Sequence, residues 1–171
     1  MLGHEIEVLK TIRKKEKAGK FEFPYDYIPQ VVSKGMFVLD DPADQIVAES
    51  NEEGKTFMSY YVMPKFGRNL ENLFHDFDCA FSDKTILQIG FRLLEIVEKI
   101  HDSGFTYNDL KLDNILIGDQ SLKEKSMHKI RLIDFGFAAA YLKPDGSHID
   151  PEETDVFRSN MIFASSNIFN F

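Results

Sequence analysis

The sequence predicts an α+β fold, with early strands followed by a mostly helical body, and three observations carry that expectation. Leu2, Ile6, Leu9 and Ile12 recur at three- and four-residue intervals, the mark of an amphipathic helix from Leu2 to about Lys17. Two segments rich in Val, Phe, Tyr and Met, Gln30 to about Leu39 and about Thr56 to Met63, read as strands. Ser82 to His101 carries the strongest helical pattern, with Ser82 as its cap and Ile86, Ile89, Leu93, Val97 and Ile100 along one face.

Taken in order, the first helix ends in Arg13-Lys14-Lys15, where cations suit the helix dipole. Gly19 to Pro29 is a turn-rich connector. Between the two extended segments, Asp40, Asp41, Asp44, Glu49, Glu52 and Glu53 read as a solvated hairpin loop. Asn69 to about Phe77 is a short helix opened by an Asn cap. Gly104 stops the helix that starts at Ser82, and two short apolar runs, Asn114–Ile117 and Lys129–Ile133, are strands flanking a loop. Beyond Ala138 the periodicity fades and loop predominates. No internal repeat or low-complexity tract divides the chain, so one domain is expected.

With 43% hydrophobic and 28% charged residues, the 171-residue chain has enough apolar material for one core. No apolar run reaches the roughly 18 residues that a bilayer requires. The net charge of −8 disfavours nonspecific nucleic-acid binding and docking on anionic membranes, both of which need surplus Lys and Arg. Any phosphate chemistry must therefore rest on local groups or metal ions. The residues from Met1 onward form no signal peptide, and Gly3 stands one place too late for myristoylation. Cys79 is the only cysteine, which excludes an internal disulfide or a cysteine-rich zinc site. The expected setting is intracellular, in the cytoplasm or nucleus.

The chemistry concentrates in Tyr107-Asn108-Asp109-Leu110-Lys111-Leu112-Asp113-Asn114 and in Asp134-Phe135-Gly136. A carboxylate such as Asp109 can orient a hydroxyl and accept its proton, and Lys111 can stabilise phosphoryl oxygens. Asn114 and Asp134 offer hard oxygen ligands suited to magnesium. Phe135 and Gly136 give a hydrophobic anchor and a flexible joint beside Asp134. His4, His75, His101, His128 and His148 have no metal-ligand spacing and read as structural or surface residues. No nucleophile elbow accompanies the serines, and the sixteen Phe suit a core better than a base-stacking platform.

The two motifs, in this order, resemble the H-R-D-L-K-x-x-N catalytic loop and the D-F-G of protein kinases. The stretch Val62-Met63-Pro64-Lys65-Phe66-Gly67-Arg68-Asn69-Leu70-Glu71-Asn72-Leu73-Phe74 is similar to the hinge of the casein kinase 1 group. Phe163-Ala164-Ser165-Ser166-Asn167 resembles that group's Y-A-S-I-N, and His148-Ile149 its H-I-P step. The resemblance implies a protein-kinase-like fold and transfer of phosphate from ATP, with Mg2+, to Ser or Thr of a protein substrate. It implies Asp109 as base, Lys111 as phosphate contact, and Asn114 and Asp134 as metal ligands. Met63 becomes the gatekeeper, the backbone of Pro64 and Phe66 faces adenine, Asn69 and Asn72 lie near the ribose, and Leu116 forms the adenine floor beside Ile133. Glu5 is either the glutamate that pairs with the ATP-binding lysine or a solvated helix charge.

By the same resemblance, residues 1–63 are the remnant of a small lobe, 64–67 the hinge, and 68–171 the start of a large lobe through the activation segment. The glycine-rich loop and strand lysine that would precede Glu5, and the helices that would follow Asn167, are not in the sequence, so the chain is expected to be a fragment inactive alone. The competing expectation is a pseudokinase or regulatory module that binds partners. Tyr107 and Asn108 stand where the family has His and Arg, so a phosphorylation switch acting through that Arg is not expected. Asn160 and Ile162 replace a Thr that braces the loop and an Arg that attracts acidic substrates. With Asp150, Glu152, Glu153 and Asp155 alongside, acidic peptides should be poor substrates. A chain lacking the first strands should also expose apolar faces and be marginally stable.

Overall fold

The computed structural model describes residues 2–23, 27–38, 49–50, 56–118, 129–143, 145–150, 160 and 162–164. Helix α1 spans Leu2–Lys17 and buries Glu5, Ile6, Val8, Leu9 and Ile12. It closes at Gly19, whose φ of 72° is the left-handed conformation that glycine adopts at little cost. Near its end the Arg13 guanidinium donates to the Ile28 carbonyl at 2.7 Å and Lys15 Nζ to the Ser103 carbonyl at 2.6 Å. The basic run is thus stitched to the body of the protein as well as matched to the dipole.

Three antiparallel strands follow, β1 (Ser33–Val38), β2 (Glu49–Ser50) and β3 (Thr56–Val62), in the order β1-β3-β2. Their register runs from Ser33 opposite Val62 to Val38 opposite Phe57. Met36, Phe37 and Val38 on β1, and Tyr60 and Val62 on β3, remain exposed, as expected for strands with uncovered faces. Except for the backbone of Glu49, the acidic loop between β1 and β3 lies outside the described residues.

Helix α2 (Leu70–Asp76) is capped by Asn69, whose side chain accepts from the Asn72 amide. Helix α3 (Asp83–Asp102) is capped by Ser82 in the same way through the Thr85 amide. A satisfied cap of this kind stabilises a helix by about 1 kcal/mol. The buried face of α3 differs from the expected stripe at its start. Ile96 and Ile100 are fully buried and Ile89, Leu93 and Val97 partly so, but Ile86 is 54% exposed. The core under α3 reaches only its later turns, and Leu87, Phe91 and Leu94 form a second, outward apolar side.

Gly104, at φ 84°, turns the chain from α3 into β4 (Phe105–Thr106). A single 3-10 turn, Leu112–Asn114, leads into β5 (Ile115–Ile117), which pairs antiparallel with β6 (Ile130–Leu132). The expected strand from Asn114 therefore starts one residue later. Strand β7 (Ala139–Ala140) pairs with β4 in a segment where the sequence offers no periodicity, because two residues are too few to display one. One core joins Val8, Leu9 and Ile12 of α1 to Ile96 and Ile100 of α3 through Tyr27, Leu70, Leu132 and Phe135. Each such burial contributes about 1.5–3 kcal/mol. Among the described residues, no helix is long and apolar enough to cross a membrane.

Candidate active site

Two loops meet at the end of this core, and unusual backbone marks both. Asn108 and Asp134 have φ of 67° and 60°. Asn and Asp tolerate this left-handed region better than other side chains because their short polar groups bond locally. Asn108 Nδ2 donates to Thr106 Oγ1 at 3.0 Å and to the Phe137 carbonyl at 3.1 Å. The Asp134 carboxylate accepts from the Gly136 amide at 3.2 Å, closing the turn.

Asp109 follows Asn108 and is 2% exposed. A buried carboxylate must be compensated, and here a single oxygen, Oδ2, receives both donors. Lys111 Nζ lies 2.9 Å from it and Asn114 Nδ2 2.8 Å. Asn114 Nδ2 also donates to the Asp109 carbonyl at 3.0 Å, which fixes the orientation of the amide. Its Oδ1 is then the atom left to meet a cation, and Oδ1 of Asp109 has no partner among the described residues. The hydrogen bond to Asp109 raises the Lys111 pKa against the opposing effect of burial, so the ammonium stays charged. The Asn114 carbonyl accepts from the Ile133 amide at 3.1 Å, which ties the 3-10 turn to the residue preceding Asp134.

Tyr107 sits beneath both loops, 4% exposed, with its ring edge-on to Phe135 at 5.1 Å. Its hydroxyl donates to the Ile133 carbonyl. Burial, followed by the charge of Asp109, pushes its pKa up, so the phenol serves as a neutral donor. Asn160 approaches the loop through its backbone, donating to the Asn108 carbonyl at 3.3 Å, while its side chain accepts from the Ile162 amide.

Glu5 resolves the two readings of its sequence position in part. It is 8% exposed, so it is not a solvated helix charge. Its Oε1 accepts from the Phe135 amide at 3.0 Å and from the Tyr61 hydroxyl at 2.9 Å. No lysine or arginine pairs with it among the described residues. On the same helix, His4 Nε2 lies 2.7 Å from the Ala138 carbonyl.

After β3, Met63 is partly buried and Pro64 exposed, and Pro64 can offer only its carbonyl. Phe66 is buried, its ring under the guanidinium of buried Arg131 at 4.7 Å. Gly67 leaves no room for a side chain: a Cβ there would stand 1.9 Å from the Ile117 carbonyl oxygen. Asn69 Oδ1 accepts from the Asn72 amide at 2.9 Å and its Nδ2 donates to Asp113 at 3.3 Å. Both ends of that side chain are therefore engaged, while Asn72 is exposed. Leu116 bridges to Asn69 across the base of the site. The structure thus brings Asp109, Lys111 and Asn114 into one cluster and links Ile133 to it. It joins Glu5 to the Asp134 turn and carries Asn69 and Leu116 on the adjoining wall.

Tyr61 and Arg131 were not singled out from the sequence. Each lies within an apolar strand run that offers no local mark of its partner. Among the remaining positions, Ile162 is 82% exposed, and Asp150 pairs with Lys143 at 2.8 Å. Glu152, Glu153, Asp155, Ser165, Ser166, Asn167 and His128 lie outside the described residues. No cluster of three or more His, Cys, Asp or Glu suited to a metal occurs among the described residues.

The profile of the protein kinase domain matches residues 45–167. A probable casein kinase I homolog of Encephalitozoon cuniculi is 33% identical over 105 residues, covering 61% of this chain and 30% of its own length. Casein kinase I homolog 3 of Schizosaccharomyces pombe is 30% identical over 145 residues, 83% of this chain and 32% of its own. A casein kinase 1-like protein of Oryza sativa subsp. japonica is 34% identical over 111 residues, 62% of this chain and 15% of its own. The chain spans about a third or less of the length of these relatives.

Proposed function

Since the chain belongs to the protein kinase domain family, we propose that it carries the phosphoryl-transfer centre of a casein kinase 1-like enzyme that acts on protein Ser and Thr hydroxyls. The observation that carries this reading is the grip of Lys111 and Asn114 on one oxygen of buried Asp109. That grip leaves the other oxygen to orient a substrate hydroxyl and take its proton. Lys111, kept protonated, contacts the transferring phosphoryl oxygens. The oxygens of Asn114 and Asp134 suit Mg2+, which when bound neutralises charge on the ATP phosphates. Met63, Pro64, Phe66, Asn69, Asn72, Leu116 and Ile133 line the adenosine side, and Glu5 braces the Asp134 turn.

In this reading residues 1–63 belong to the small lobe, 64–67 form the hinge and 68–171 begin the large lobe. The end of β3 at Val62 and the start of α2 at Leu70 support that division. An intracellular setting fits the exposed free Cys79. The partners are ATP and a protein substrate, with neither nucleic acid nor membrane.

The sequence contains no G-x-G-x-x-G, the loop that holds nucleotide phosphates in line. We therefore expect the isolated 171-residue chain to transfer little phosphate. The test combines Mg2+-dependent binding of a fluorescent ATP analogue with transfer of labelled phosphate to Ser, Thr and Tyr peptides. Weak binding abolished by Asp134→Asn, with little transfer, is the expected result. Robust turnover that disappears in Asp109→Asn would overturn the inactivity of the isolated chain, and no nucleotide binding at all would favour a second reading. That reading is a non-catalytic binding module, and the neutral donors around Glu5 favour it.

A further inference from the structure

Tyr61 lies on β3, two residues before Met63, and its hydroxyl reaches across to α1. The chain of contacts is short and directional. The phenol donates to Glu5 Oε1 at 2.9 Å, and the same oxygen accepts the Phe135 amide at 3.0 Å. One carboxylate oxygen thereby ties together a strand, a helix and the turn that carries Asp134. Glu5 is buried, and both its donors among the described residues are uncharged at neutral pH. Hydrogen bonds to an ionised acceptor are about twice as strong as neutral ones, and stronger still out of water. The neighbouring ring, Tyr60, points the other way on the strand and is exposed, as strand alternation requires. Of the two adjacent tyrosines, Tyr61 is therefore the one that reaches Glu5.

We propose that Tyr61 is a positioning residue that holds Glu5 against the Phe135 amide and so sets the turn bearing Asp134. Its link to metal and nucleotide rests on the kinase reading above, but the hydrogen-bonded chain itself does not. Without the phenol, Glu5 keeps one donor and gains freedom to swing toward water. The Phe135 amide then loses its acceptor for part of the time. Burial and the charge of Glu5 both push the Tyr61 pKa upward, which keeps the donor proton in place.

The test is amide hydrogen exchange on the whole chain, read at Phe135 and at the α3 core amides near Ile96 and Ile100. Tyr61→Phe removes one oxygen and keeps the ring, and Tyr60→Phe is the matched control. The expected result is exchange at Phe135 at least about ten-fold faster in Tyr61→Phe, with α3 and the Tyr60→Phe chain unchanged. Glu5→Gln reads the other half of the contact: its weaker acceptor should speed Phe135 exchange by a smaller factor, even if Tyr61→Phe folds poorly. Unchanged Phe135 protection in Tyr61→Phe, or equal loss at Phe135 and α3, overturns the proposal. Mg·ATP-analogue binding is measured on the same proteins. If the parent chain binds no nucleotide, the kinase reading fails while the exchange data still decide the role of Tyr61.

Discussion

The Tyr107 hydroxyl donates to the Ile133 carbonyl, so the residue two before Asp109 is bonded to the residue immediately before Asp134. The spacing between the two candidate loops is set by that contact as well as by the β5–β6 ladder. Removing the hydroxyl in Tyr107→Phe preserves the edge-on contact with Phe135 but leaves a half-buried carbonyl without its donor. The expected cost is about 1–3 kcal/mol of folding stability, read from urea denaturation midpoints. An unchanged midpoint would show that the contact carries no weight.

The Lys111–Asp109 pair makes a pH-dependent prediction. Its hydrogen bond raises the folded pKa of Lys111 above the ordinary lysine value of 10.5. The charged amine therefore contributes stability that is complete below that value and is lost as pH climbs through the higher folded one. The stability gap between the parent and Lys111→Met should stay level up to about pH 10 and then close. Stepped-pH denaturation measures it, and a gap already absent at neutral pH would sever Lys111 from Asp109.

Gly67 allows a purely steric test. Any side chain there collides with the Ile117 carbonyl, which is backbone and cannot swing aside. Gly67→Ala should destabilise the fold by about 1–3 kcal/mol through forced backbone shifts. It should also loosen the seat of Phe66 on Arg131, which intrinsic fluorescence from the tyrosines cannot isolate but NMR of the Phe66 ring can. A neutral substitution would mean that β5 slides freely past residues 64–67.

Ile162 presents an uncharged side chain to solvent where a basic one would draw acidic peptides. Asp150 is paired with Lys143, which lowers the acidic pull of this segment relative to what the sequence suggests. Under the proposed kinase reading, peptide arrays with any catalytically active form of this sequence should show weak use of acidic peptides and a modest preference for neutral or basic ones. That preference should fade in high salt, and Ile162→Arg should shift it toward acidic peptides. Strong selection for acidic peptides by the parent would refute this account.

What could be read in advance follows from how each feature is encoded. Helices α1 and α3 declare themselves because burial repeats every three or four residues, and Asn69 and Ser82 mark the starts of α2 and α3 by residue type alone. The Asp109 loop and Asp134 turn were legible as ordered motifs. Ile86 continues the pattern of α3 past the point where anything covers it, so the periodicity overstated the buried face. Tyr61 was illegible for a different reason. Within Phe57-Met58-Ser59-Tyr60-Tyr61-Val62, nothing local distinguishes the tyrosine that points at Glu5 from the one that points at water. Only the crossing of β3 over α1, a long-range contact, assigns it a partner.

Asn108 has a consequence for how the segment after Asp134 responds to its surroundings. A guanidinium at this place would form a charged anchor whose strength varied with salt and with any phosphate nearby. The carboxamide of Asn108 instead reaches the Phe137 carbonyl as one neutral dipole to another. Such a latch does not titrate and is little affected by ionic strength, so the first turn of the segment is moored alike in dilute buffer and in concentrated salt. It behaves as a fixed hinge pin, and adjustment must come from elsewhere in the segment.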